Sequence, residues 1–380
     1  MSQQPFGDIP LFRELQKLLS ATEGPLNTEL ATQVAMAIAT EGGGDPKPDA
    51  DAARAFDEAV HSGEMLLSGY TRLAFDEPSR TEVTGRGNWV ASTLESWRWV
   101  LEVLSSRFTS AAQGLGDEES QGTPGAEAII GQLAPLLLGL QAGSLIGHLS
   151  REALGRYDLP IPRDDKGHIF LVDQNAVSIA RDYGFDIEEF RTWFALRETS
   201  RHLIGSANRW VERYLRSLMT SLIEAIEIDT GDLQRRIIEM QSGGPEALEQ
   251  GLGSGQTFPI AATERHAQAL SRLQAFVAVF EGYATHAVGQ VGPEMIKSLP
   301  QIEEGMARHA ASPSEGKSAL DDILGITPDR SLQTSGVTFC AAIVKLQGIE
   351  KLNLMWAAPD NLPTLDEVRD PFAWIERVLE

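Results

Sequence analysis

The stretch WFALRETSRHLI, Trp193 to Ile204, gathers Arg197, Glu198, Arg201 and His202 on one helical run. Two side chains four apart on a helix share a face, because about 3.6 residues make a turn. The pattern His-Glu-x-x-His uses that spacing to hold zinc with its two histidines, while the glutamate takes a proton from the metal-bound water. Here Glu198 stands in the glutamate position, but arginine fills both histidine positions, at 197 and 201. Guanidinium has no lone pair to give at any accessible pH, so neither arginine can ligate a metal. The stretch is therefore either a metal-binding helix that has exchanged its ligands or a helix that resembles one by chance.

Other residues with chemistry to offer are isolated. His148 and His168 have no neighbours in sequence that complete a metal site or a triad, and there is no G-x-S-x-G elbow or Walker-type loop. GLGSGQT reads as a plain Gly/Ser run. The single cysteine, Cys340, sits among apolar residues with no histidine beside it, which predicts a buried small side chain in a helix. Trp89, Trp97 and Trp99 read as core, their other reading being a sugar or peptide platform.

The net charge of −22 lacks the basic face that nucleic acid requires and opposes docking to an anionic membrane. The first residues show no basic start followed by an apolar core, so the expectation is a cytoplasmic, soluble chain. Ala128–Ser150 contains no Lys, Arg, Asp or Glu and is long enough to span a bilayer. Its four glycines, two glutamines, proline and histidine read instead as a buried core helix.

Apolar periodicity predicts helices over Phe12–Leu19, Glu29–Ile38, Asn88–Phe108, Ala126–Leu154, Ile187–Ile226, Ala262–Val291 and Leu332–Leu346. His168–Val172 is the clearest strand. Glu41–Asp51, Gly114–Glu127 and Ser242–Pro259 read as loops or linkers, the last either a cover over a cleft or disordered.

Four collinear segments carry a resemblance: LGLQAGSLIGHLSREALGRYDLPIP, IFLVDQNAVSIARDYGFDIEEFRTWFALRE, SRLQAFVAVFEGYATHAVGQVG and LNLMWAAPDNLPTLDEVRDPFAWIERVL. Together they resemble the actinobacterial zincin-like family of zinc-dependent metalloproteases and hydrolases, over most of Gly131–Glu380. The resemblance implies a mainly α, zincin-like fold with few short strands. The expected organisation is an N-terminal helical region (1–125), a core bearing the site helices (126–292) and a C-terminal helical region (293–380). It implies Glu198 as the base and Glu281, in FEGYATH, as a carboxylate third ligand. Arg197 and Arg201 take the two histidine positions, and one remaining carboxylate would not hold zinc.

Two carboxylates left facing each other in a partly buried cleft are costly without a counter-charge. The arginines could supply it by pairing with Glu281, or they could simply point to solvent. A shifted set of Glu198, His202, Glu281 and His286 would keep a metal only by consuming the base as a ligand. No cofactor is expected, or zinc if the family activity is retained. The reading is a family member that has lost zinc and proteolysis and keeps its cleft for an unidentified protein or peptide. An active hydrolase with shifted ligands and a structural or assembly protein are the alternatives.

Overall fold

The computed structural model describes residues 26–41, 44–117, 126–163, 167–227, 263–312, 314–326 and 330–379. The predicted helix over Phe12–Leu19 and the Ser242–Pro259 loop lie outside them. The fold is mainly helical, with one two-stranded sheet among the described residues.

The chain opens with α1 (Thr28–Thr40) and α2 (Ala50–Thr71), then β1 (Thr81–Thr84), α3 (Arg86–Ser96), α4 (Arg98–Asp117) and α5 (Ala126–Ser150). Strand β2 (Ile169–Val172) leads into α6 (Asp173–Tyr183), α7 (Ile187–Ala207) and α8 (Trp210–Ala225). After them come α9 (Glu264–Val291), α10 (Leu299–Ala311), α11 (Glu315–Leu324) and α12 (Arg330–Gln347). Short turns of helix then lead to α13 (Leu365–Arg369) and α14 (Pro371–Leu379).

Several boundaries differ from the sequence reading. Asn88–Phe108 is two helices that meet at Trp97, and Ile187–Ile226 breaks between Ala207 and Trp210. Part of the Gly114–Glu127 linker is helical, since α4 runs to Asp117 and α5 starts at Ala126. The linker expected over Glu41–Asp51 ends in a cap: the Asp49 side chain accepts from the Asp51 N–H and starts α2.

β1 pairs in parallel with β2, Thr81 opposite Ile169 and Thr84 opposite Val172. β2 is buried along its whole length, as an apolar run without alternation requires. This pairing and the packing of α1 on α5 cross the boundary placed at residue 125.

The stretch Ala128–Ser150 of α5, which carries no Lys, Arg, Asp or Glu, explains its own glycines. A Cβ at Gly139, Gly143 or Gly147 would come within 2.6–2.8 Å of Asn27, Ala31 or Ile38, so α5 offers a smooth ridge to α1. α1 answers with Ala31, Ala35 and Ala39, all buried. Among the described residues no helix is long and apolar enough to cross a membrane. Trp89 and Trp97 are buried and meet edge to face at 6.2 Å, while Trp99 is partly buried against the same core. Cys340 is buried within α12.

α9 is the axis of the site. One flank crosses α12 so closely that a Cβ on Gly282 would lie 2.4 Å from the Gly336 backbone, and one on Gly336 only 2.0 Å from the Ala278 oxygen. Another flank packs on α7 and α8. Glu281, the residue before that glycine contact, faces α7.

Candidate functional site

Local capping fixes both site helices. Asp186 accepts from the Glu188 and Glu189 N–H groups to start α7, and Thr263 accepts from His266 to start α9. Arg191 forks onto the Asp173 carboxylate at 2.9 and 3.0 Å, tying α7 to the start of α6. α7 is buried from Phe190 through Ile204 on most of its faces, so polar residues there must find partners within the protein.

They find one another. Arg201, 1% exposed, donates from Nη1 to Glu198 Oε1 at 2.7 Å and from Nη2 to Glu281 Oε2 at 2.5 Å. Arg197 adds a second bond to the same Glu281 oxygen at 3.1 Å and lies over the Trp193 ring at 5.4 Å. The guanidinium of Arg201 thus bridges the retained base position and the carboxylate of the facing helix. The Arg–Glu281 pairing expected from the sequence is present, and neither arginine simply points to solvent: Arg197 is 27% exposed and Glu281 22%.

A loop that the spacing does not mark completes the cluster. Glu198 Oε2 accepts from the backbone N–H of Arg156 at 2.9 Å and of Tyr157 at 3.3 Å. Asp158 folds back to accept from the Leu154 and Gly155 N–H groups at 2.5 and 2.8 Å, and lies 3.8 Å from Arg201. Gly155 is required by contact: a Cβ there would lie 2.5 Å from the Phe194 ring and 2.8 Å from the Glu198 carboxylate. Both Glu198 oxygens are therefore engaged, and its side chain is 0% exposed.

The electrostatics follow from burial and pairing. Burial pushes Glu198 up to about 7; Arg201 pulls the other way and Asp158 adds to the rise. Burial also works against the charge of Glu281, but Arg201 and then Arg197 hold it below the usual carboxylate value. Burial opposes the Arg201 charge too, yet Glu281, Glu198 and Asp158 keep its pKa above the ordinary arginine value.

His202 and His286 turn elsewhere. His202 Nδ1 meets the Tyr157 hydroxyl at 2.9 Å, and burial, with Arg156 nearby, lowers its pKa to about 4. His286 Nε2 meets the Tyr70 hydroxyl at 2.7 Å, and burial lowers its pKa as well. The four residues of the shifted set thus bond to Tyr157, Tyr70 and the arginines. Among the described residues no three His, Cys, Asp or Glu side chains are grouped to hold a metal ion. The donor set does not fit zinc: a cation is already bonded to both carboxylates, and the two ligand positions carry positive charge.

Comparison with known proteins agrees with this architecture. No curated protein matches the chain. A crystal structure from Chloroflexus aurantiacus, titled "a putative hydrolase with a novel fold", shares the fold with a TM-score of 0.66 at 23% identity, over 93% of this chain and 98% of that one. The model of the zincin-like metallopeptidase family matches residues 26–375, which extends the likeness beyond Gly131–Glu380 to the N-terminal helices. By that match, over nearly its whole length, the chain belongs to the zincin-like metallopeptidase family.

Proposed function

We propose that this chain is a cytoplasmic member of its family that has exchanged the catalytic zinc for an internal cation, Arg201, has lost proteolysis with it, and acts by binding a protein or peptide. One observation carries the reading: a single buried guanidinium bonds to both Glu198 and Glu281. A zincin needs Glu198 free to take a proton from a metal-bound water. Here Oε1 accepts from Arg201 and Oε2 from the N–H groups of Arg156 and Tyr157, and the side chain is shut away from solvent. Counting charge supports the same reading. Arg197 and Arg201 already set two positive charges against Asp158, Glu198 and Glu281, and an added divalent ion would turn the buried cluster net positive.

The test is elemental analysis of untagged protein for zinc, manganese, iron, nickel and cobalt, before and after dialysis against excess zinc. The expected result is well below one metal per chain in both samples. Near-stoichiometric metal that disappears on His202→Ala or Glu281→Ala would overturn the reading and restore a hydrolase with shifted ligands.

A further inference from the structure

Away from the arginine–carboxylate cluster, the surface carries a groove that the cluster does not use. A cavity of about 430 Å³ opens between α9 and the turn Pro359–Leu365. Phe276 and Glu281 are five residues apart, about 140° around the helix, so the groove and the cluster occupy different faces of α9.

Both walls are held before anything binds. Phe276 is buried at the floor, stacked on Phe280 at 5.7 Å and packed against Tyr214 at 6.0 Å and Trp356 at 6.3 Å. The opposite wall is clamped by Arg377, which donates to the Glu367 carboxylate, to the Asp360 oxygen at 2.6 Å and to the Leu362 oxygen at 2.9 Å. Trp374 donates to the Asn361 oxygen at 2.7 Å, and a capping box joins Thr364 to Glu367. A wall fixed in this way adds little ordering cost to binding. Pro359 and Pro363 offer no N–H, so recognition there must run through side chains rather than strand addition.

The groove also has a charge of its own. Arg272 is exposed, is the one charged residue lining it, and makes no ion pair among the described residues. In a chain of net charge −22, an exposed arginine that has no carboxylate partner among the described residues, at the rim of an apolar groove, is a charge open to a ligand.

We propose that this groove docks a short linear peptide of acidic–hydrophobic character. An apolar side chain seats between Phe276 and Tyr214 on one side and Leu362 and Leu365 on the other. An Asp or Glu side chain of the peptide, a few residues away, pairs with Arg272. This deepens the binding half of the reading above and rests on it; the elemental analysis tests the zinc half, so the two fail separately.

The experiment pans a phage-displayed library of random twelve-residue peptides against the full chain and measures the consensus peptide by fluorescence anisotropy. The expected consensus places Asp or Glu within a few residues of Leu, Phe or Trp. Arg272→Glu and Ser271→Trp, each melting like the unmodified chain, should weaken binding at least about tenfold. Exchanging the peptide's acid for lysine should restore affinity to Arg272→Glu. No consensus, a basic consensus, or one whose binding ignores both substitutions would overturn the proposal.

Discussion

Glu281 and Gly282 are neighbours on α9, yet they join it to the rest of the molecule in opposite ways. Gly282 brings α9 against α12 until backbone meets backbone at Gly336, with no charge involved. Glu281 joins α9 to α7 through paired, largely buried charges. The first contact is steric and fails when an atom is added. The second is electrostatic and fails when a partner is removed, because the charge left behind stays buried. A metal ion held between two helices by carboxylates would show the same asymmetry.

The largest expected effect is from Arg201→Met. It leaves Glu198 without its side-chain partner and Glu281 with Arg197 alone, and should cost about 4 kcal/mol in urea unfolding. Gly336→Ala should follow at about 2–3 kcal/mol, because the added methyl must push the Ala278 carbonyl away. A smaller loss for Arg201→Met than for Gly336→Ala would break the comparison, since it would mean that the charges carry little of the helix pairing. Glu281→Gln keeps an acceptor but removes the charge facing two arginines, and about 2 kcal/mol is expected. An unchanged melting temperature would contradict the pairing.

The smallest effect is pH-dependent. His202 has a folded pKa of about 4 against an ordinary 6.5, so below pH 6.5 the unfolded chain takes up its proton first. The stability held in neutral His202 is complete above pH 6.5 and is lost as pH falls towards 4. Glu198 runs the other way: its pKa, raised to about 7 from 4.5, makes stability fall as pH rises between those values. In the difference between the unmodified chain and His202→Gln, Glu198 cancels. That difference should shift against the unmodified chain by roughly 1–2 kcal/mol between pH 7 and pH 5. Urea midpoints at the two pH values check it, and a constant difference would mean that His202 is not held neutral by burial.

How legible these features were depends on how each residue acts. The shared face of Arg197 and Arg201 follows from i, i+4 spacing, and Glu281 was found through the segment that resembles the family. The clamp at Arg156 and Tyr157 was hidden because it works through backbone N–H groups, which any residue type supplies, some forty residues from Glu198 in sequence. α2 escaped notice because its buried face uses Ala52, Ala59 and Gly63 between Phe56, Val60 and Leu67, and small residues give weak periodicity. β1 reads TEVT and earns its strand only by pairing, whereas the apolar IFLV of β2 announces itself. α10 buries only Leu299, Ile302 and Gly305, too narrow a stripe to stand out.

The most direct measurement is a double-mutant cycle between Arg201 and Glu281, built from Arg201→Met, Glu281→Leu and the pair, by urea unfolding. If Arg201 holds the helices together as a metal would, the coupling should reach about 2 kcal/mol or more, with the double variant more stable than either single one. Additive losses from the two single substitutions would contradict it.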